Sequence, residues 1–229
     1  AAPTQEEGKA LLETIDLPRE QIDMFCATYQ QRASSLFQAA YSLTLSSILH
    51  SDAISYSTLY HGRTARASRQ AIGMFIATVP LYEQIDRCMS VRDFILHFVS
   101  TQMLMIRHAD FSLIDVMQTI GDVPETVFSF QSESIRESVN FDGVDYPNLQ
   151  IRTSNRTATP LSAVVYVSPD SYQIRLECSS NYHDEAYLQC FGRAMKACLL
   201  SLMKNIDGSL QDISVLPEED RIEVNTFFG

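Results

Sequence analysis

The first candidates for acid-base or metal chemistry are the five histidines, His50, His61, His97, His108 and His183, because imidazole titrates near neutral pH and ligates metals. His97 and His108 stand eleven residues apart on one predicted helix. At about 1.5 Å of rise per residue their rings are roughly 16 Å apart, too far to share an ion. His50 falls in a turn and reads as solvated. His183 precedes Asp184 at a predicted helix start, where the carboxylate is expected to cap the helix rather than to orient a base. The five cysteines, Cys26, Cys88, Cys178, Cys190 and Cys198, contain no C-x-x-C pair, so neither a disulfide framework nor a zinc site is expected, and reduced thiols in a cytoplasmic protein are. No Gly-x-Ser-x-Gly elbow, Gly-x-Gly-x-x-Gly or Walker loop occurs, which removes the usual nucleophile and nucleotide signatures. Asp142-Gly143-Val144-Asp145 lacks the ligand ladder and closing Glu of a calcium loop and reads as a plain turn. What remains is Arg63, Arg66 and Arg69, spaced three apart beside Gly62. On a helical segment they form one stripe able to hold a phosphate, or equally a solvated basic face.

The elements that must position these residues follow from apolar periodicity. Residues 11–17 alternate as a strand and run into Pro18, which opens a helix over 18–29 carrying Ile22, Phe25 and Cys26 at helical spacing. Ser34 or Ser35 is expected to cap a second helix reaching Ile48 with little polar face. Residues 53–60 alternate as a strand, and 73–81 are β-prone and closed by Pro80. A long helix spans 90–111, with a turn or two more over 112–117. Strands are predicted at 127–131, 148–153, 161–167 and 172–179, the last two a hairpin across Ser168-Pro169-Asp170-Ser171. A helix over 184–205 and an acidic, partly helical tail over 215–227 complete the chain. Strands and helices mix without βαβ alternation. The expected class is therefore α/β in the sense of an α+β two-layer sandwich, a mixed sheet with helices packed mainly on one face.

Composition sets outer limits. With 229 residues, 45% of them hydrophobic, the chain has material for a buried core. Its 28 acidic and 17 basic residues leave a net charge of -11, which argues against nucleic acid or an anionic membrane as a partner. Apolar windows such as 33–49 are interrupted by Ser, Thr, Gln and Tyr before reaching the roughly 20 residues of a membrane span. Residues 1–10 read as a flexible lead and 11–229 as one unit, without internal repeat or low-complexity linker.

The order of motifs between residues 36 and 81 carries a resemblance. Leu36-Phe37-Gln38-Ala39-Ala40-Tyr41-Ser42-Leu43, then a strand ending His61-Gly62-Arg63, then Ile72-Gly73-Met74-Phe75-Ile76-Ala77-Thr78 closely resembles the condensation domains of nonribosomal peptide synthetases. That family has a helix, a strand ending in Gly-Arg, and an Ile-Gly-x-Phe-Val-Asn-Thr motif. Ile72, Gly73, Phe75 and Thr78 match, and Ala77 replaces the Asn. Arg107-His108-Ala109-Asp110-Phe111 is similar to a further family motif at its His and Asp, Val127-Phe128-Ser129-Phe130-Gln131 looks like the strand facing the family's tunnel, and Pro160-Leu161 retains part of a third motif.

This resemblance implies the chloramphenicol acetyltransferase-like fold, in which two similar halves enclose a tunnel. The family's His-His-x-x-x-Asp-Gly motif belongs to the N-terminal half, and no His-His pair occurs here, so the length and starting point fit the C-terminal half. The implied role is one wall of the tunnel in which aminoacyl and acyl or peptidyl groups, each carried on a phosphopantetheine arm, are joined as an amide. Such a half is inactive alone. The resemblance assigns no catalytic residue and no metal to this chain. It places Gly73, Phe75, Ala77, Thr78, Ser129 and Gln131 on the tunnel or its bridging loop, with Phe75, Ile76, Phe128 and Phe130 among the side chains expected to face it. Arg63, Arg66 and Arg69 become candidates for the carrier's phosphopantetheine phosphate or acidic surface. The implied partners are the N-terminal half, peptidyl carrier proteins and an adenylation domain, with no tightly bound cofactor. Half of an epimerisation domain, or a degenerate half kept as a docking platform, are the rival readings.

Overall fold

The computed structural model describes residues 8–60, 75–108, 113–121, 124–131, 138–141, 144–147, 156–157 and 159–217. Strand β1 (Gly8–Pro18) leads into α1 (Arg19–Tyr29) and α2 (Ala33–Leu49); β2 (Ala53–Tyr60) and β3 (Ala77–Gln84) precede α3 (Val91–His108) and α4 (Leu113–Ile120). Then come β4 (Val127–Gln131), β5 (Ser138–Phe141), β6 (Val144–Pro147), β7 (Arg156–Thr157), β8 (Ser162–Val167), β9 (Ser171–Ser179) and α5 (Glu185–Lys204), closed by a 3-10 turn at Leu210–Asp212.

Seven strands form one sheet in the order β3-β2-β4-β8-β9-β1-β7, and β5 pairs with β6 separately. β4 runs parallel to both β2 and β8, while the other pairings are antiparallel. The sheet is therefore mixed, as the lack of strict alternation predicts.

Strand periodicity decides which side is the core. In β9, Tyr172, Ile174, Leu176 and Cys178 are buried on one face, and their partners Leu17, Ile15, Glu13 and Leu11 on β1 share it. Against this face lie α1, α2, α3 and α5. Phe37 of α2 meets Phe130 and Tyr172 at ring distances of 5.9 and 5.2 Å. Tyr41 meets Tyr56, Phe128 and Phe191 at 5.1, 5.1 and 5.8 Å. A Cβ on Gly192 of α5 would overlap Ile15 Cδ1 and come within 3.1 Å of Leu176 Cδ1, so glycine is what lets this helix lie close to β1 and β9.

α2 is the central helix, buried from Ser35 to Ser46. Two of its buried polar side chains, Gln38 and Ser42, are bonded inside the core: Gln102 Nε2 on α3 donates to Gln38 Oε1 at 2.8 Å, Gln38 Nε2 donates to the Tyr56 hydroxyl at 3.0 Å, and Ser42 Oγ shares that hydroxyl at 3.0 Å, whereas the buried Ser35 Oγ has no partner among the described residues. Burial pushes the Tyr56 phenol well above its ordinary range despite these partners.

Several expectations are corrected. β1 begins at Gly8 rather than at residue 11, because β7 and β9 offer it partners along its full length. The cap of α2 is Arg32 in extended conformation without a side-chain bond, and Ser35 lies inside the helix. β3 starts at Ala77 and runs through Pro80 to Gln84; it is an edge strand, so a missing N–H there costs no ladder bond. The helix expected to reach 111 is described to His108, and the next helix extends to Ile120. β5 and β6 flank Asp142-Gly143 as a hairpin, which the plain-turn reading overlooked. Residues 213–217 are not helical. The strand expected at 148–153 and the tail beyond 217 lie outside the described residues.

The junction of β1, α1 and β9 yields an acid-sensitive contact. Tyr172 donates its hydroxyl to Asp23 Oδ1 at 2.6 Å, and Arg19 Nε donates to Asp23 Oδ2 at 2.9 Å. These two bonds, Tyr172 first, hold the Asp23 carboxyl below its ordinary range against the opposing effect of burial. A depressed carboxylate stabilises the fold above the unfolded pKa, about 3.9, and the stabilisation is lost as pH falls through the lower folded value. Asp23→Asn is expected to cost about 1 kcal/mol at pH 7, held to that size by the carboxylate's 45% exposure. Urea unfolding checks this: the gap between parent and variant should shrink toward zero well below about pH 3.9, and a gap constant with pH would reject the assignment.

Candidate functional site

β4 sorts its residues between two environments. Phe128 is buried and Phe130 half-buried on the helix face, where they meet Tyr41 and Phe37. Both phenylalanines thus pack against the helices, and the two-residue period of a strand puts Ser129 and Gln131 on the opposite face of the sheet. Gln131 is exposed, and its Nε2 donates to Ser129 Oγ at 3.2 Å.

The register extends this second face across the sheet. Gln131 stands opposite Tyr166 of β8, which stands opposite Gln173 of β9, which stands opposite Asp16 of β1. Gln173 Nε2 donates to Asp16 Oδ1 at 3.1 Å. Beside this row the Arg175 guanidinium lies 5.0 Å from the centre of the Tyr166 ring, within reach of cation-π attraction. In the other direction Ser57 of β2 pairs with Val127 of β4 and with Pro80 of β3, which places Thr78 on the same face. Ser57 Oγ donates to the Pro124 carbonyl at 3.0 Å. The face thus combines exposed amides and one stacked guanidinium with the nearly buried hydroxyls of Ser57 and Ser129 and the exposed Leu12 and Leu59.

The predicted site residues separate accordingly. Thr78, Ser129 and Gln131 share the face opposite α1, α2, α3 and α5. Ala77 takes the other side of β3 with Val79 and Leu81. Phe75 is half-buried and Ile76 is 55% exposed just before β3. Gly73, Arg63, Arg66 and Arg69 lie outside the described residues.

The titratable groups are held elsewhere. His97 Nε2 meets Glu83 Oε2 at 2.8 Å and Thr101 Oγ1 at 3.3 Å, a pair on the helix side that joins α3 to β3. Sequence reasoning missed this pair, whose partners are fourteen residues apart and meet only through packing. Asp184 Oδ1 accepts from the Tyr187 amide at 2.8 Å, so it caps α5 as expected. His183 stacks on Tyr187 at 3.8 Å, and burial lowers its pKa although Asp184 acts in the opposite sense. Burial also pushes the thiols of Cys26 and Cys198 up to about 11 and about 12, away from nucleophilic thiolate. Among the described residues no group of three His, Cys, Asp or Glu side chains is placed to hold a metal, and no helix is long and apolar enough to cross a membrane. The second face is suited to binding and guiding a polar chain.

This architecture is that of solved condensation domains. The first condensation domain of the CDA synthetase superposes with a TM-score of 0.74 at 15% identity, over 94% of this chain and 50% of that one. The starter condensation domain of rhizomide synthetase RzmA gives 0.76 at 16% identity, over 94% and 50%. The four-domain nonribosomal peptide synthetase holo-AB3403 gives 0.78 at 10% identity, over 94% and 18%. The condensation-domain family model matches residues 8–224, and the chain belongs to that family. Among curated proteins it is 24% identical over 211 residues to a component of the linear gramicidin synthase of Brevibacillus parabrevis, covering 89% of this chain and 3% of that protein. A component of the plipastatin synthase of Bacillus subtilis (strain 168) is 21% identical over 188 residues, covering 80% and 7%. The chain thus spans a small part of these synthetases and about half of two of the solved condensation-domain chains.

Proposed function

We propose that this chain is the C-terminal half of a nonribosomal peptide synthetase condensation domain and supplies one wall of its tunnel. The observation that carries this reading is the sheet face bearing Thr78, Ser129 and Gln131, which is polar, is turned away from the four packed helices, and belongs to a chain without any His-His pair. In the proposed reaction the amine of one carrier-bound aminoacyl group attacks the thioester carbonyl of an acyl or peptidyl group on a second carrier. The new C–N bond forms, the C–S bond breaks, and the amine proton leaves as the phosphopantetheine thiol is released. Proton handling belongs to the N-terminal half. This half orients the two arms, so its contribution is proximity. Arg63, Arg66 and Arg69 are the proposed contacts to the carrier phosphate or its acidic surface.

A docking platform without chemistry is the second reading, favoured by Ala77 at the position where the resemblance expects Asn. One experiment separates them. The chain is incubated alone, and then with a separately prepared N-terminal half, together with both loaded carriers. No amide is expected from the chain alone, and product above the no-protein level from the mixture. Amide formation by the chain alone overturns the half-domain reading, and a silent mixture whose two halves associate supports the platform.

A further inference from the structure

Away from the sheet, a groove of about 520 Å³ runs between α5 and residues 212–217. One wall is a stripe of α5: Arg193, Lys196, Leu200 and Lys204 follow one another at three- and four-residue intervals and so share one helical face. All four are exposed, Leu200 by 38%. Among the described residues none of the three cations forms an ion pair, whereas Arg19, Arg87 and Arg92 each meet an aspartate at 2.9, 2.7 and 2.7 Å.

The second wall is anchored to the fold. After the 3-10 turn at Leu210–Asp212 the backbone is extended at Ile213, and Ile213 and Val215 pack against the core. Two-residue alternation turns Ser214 and Leu216 the other way; both line the groove, where Leu216 is 51% exposed. The Ser214 amide donates to Ser201 Oγ at 3.1 Å, which ties this wall to α5, and the Ser214 hydroxyl donates to the Leu216 carbonyl at 3.1 Å. Leu200 and Leu216 thus offer apolar surface from opposite walls, and the lining holds three cations against a single carboxylate, that of Asp212. The chain's net charge of -11 does not cancel this local excess, because exposed charges more than about 8 Å away are largely screened at physiological salt.

We propose that this groove docks an acidic peptide segment of another protein, held extended, with carboxylates on Arg193 and Lys196 and an apolar side chain between Leu200 and Leu216. Spacing sets the pattern it reads. Arg193, Lys196 and Leu200 follow one another at about 4.5 and 6 Å along the helix axis, while alternate residues of an extended peptide stand about 6.6 Å apart on one face. The long Arg and Lys side chains absorb the difference, so Glu-x-Glu-x-Leu matches this wall. Asp212 lies at the Lys204 end, since a Cβ on Gly208 would sit 3.2 Å from the Asn205 carbonyl and 3.9 Å from Asp212 Oδ2. Its charge offsets that of Lys204, and the selection for acid falls to Arg193 and Lys196. The groove is separate from the polar sheet face, and the proposal does not rest on the amide-forming reading.

The test uses the full chain and a fluorescein-labelled peptide, Glu-Ser-Glu-Ser-Leu-Ser-Glu-Ser-Glu, whose pattern is the same read from either end. Fluorescence polarisation at low salt is expected to show saturable binding with a Kd below about 1 mM, weakened about tenfold by about 0.5 M salt. Arg193→Glu with Lys196→Glu should weaken it at least about tenfold and create binding of the counterpart peptide that carries Lys in place of each Glu. Replacing the peptide's Leu by Ser should cost about tenfold more. Exposed substitutions of this kind leave the core intact, which unchanged hydrogen exchange of the α2 amides verifies. Absence of saturation below about 1 mM in the parent, or binding indifferent to the charge reversal, overturns the proposal. So does equal affinity for the Ser peptide, which reduces the groove to a patch that attracts counter-ions. Dimers in sedimentation that the charge reversal abolishes and the peptide cannot displace also overturn it, since the groove then holds a second copy.

Discussion

Replacing Phe128 by Ala is expected to lower the free energy of unfolding by about 3–5 kcal/mol. The ring is 2% exposed, lies 5.1 Å from Tyr41 and 6.4 Å from Tyr56, and stands in register with Thr58 and Ala163 on the flanking strands. Its removal leaves a cavity between β4 and α2 that neither can fill, because α2 is buried from Ser35 to Ser46 and held between the sheet and the helices around it. Relaxation is limited, and both the transfer and the cavity contributions are lost. Urea unfolding should show an earlier midpoint with an unchanged slope. Three residues along the same strand, the exposed Gln131 should tolerate Ala within about 0.5 kcal/mol. A loss below about 1 kcal/mol for Phe128→Ala would mean that the ring faces the other side of the sheet.

The complementary result concerns function. With the N-terminal half present, Gln131→Trp is expected to reduce amide formation about 100-fold, the scale of effect that follows from displacing reacting groups by an ångström. Stability should stay within about 0.5 kcal/mol of the parent, since Gln131 is exposed and makes a single described bond, to Ser129 Oγ at 3.2 Å. The indole would project from the polar face into the space through which the proposed reading passes the pantetheine arms. Unfolding and product formation, measured on the same preparations, check both halves of the statement. Undiminished product removes Gln131 from the tunnel wall. A fall in product matched by a fall in stability reduces the effect to misfolding.

Together the two substitutions separate the layers of one five-residue strand. Val127-Phe128-Ser129-Phe130-Gln131 looks, as a string, like a strand with two aromatic side chains ready for a ligand. Alternation allots the aromatic pair and the polar pair to opposite faces but does not say which face the helices take. That choice is made by Phe37 and Tyr41 on α2, which lie nearly a hundred residues earlier and meet the phenylalanines only in the folded chain.

Local chemistry determined much from sequence alone: the strand over 53–60 and the strand over 127–131 at their observed bounds, the hairpin closed at 168–171, and α5 with its Asp184 cap. In each case the information sits within a few residues, as alternation, a turn, or a carboxylate three residues before the amide it accepts from. The order of short motifs pointed to the condensation-domain family, and the match over residues 8–224 shows it. Tertiary structure decided what depends on distant partners. The start of β1 is set by β7 and β9, and the passage of β3 through Pro80 by its place at the sheet edge. The pairing of His97 with Glu83 and of Arg175 with the Tyr166 ring, and the side of the sheet that Thr78, Ser129 and Gln131 share, arise from strand order. The physical reason is that a residue's local preference sets its backbone conformation, whereas the choice between solvent and core belongs to whichever elements bury the larger apolar area against it.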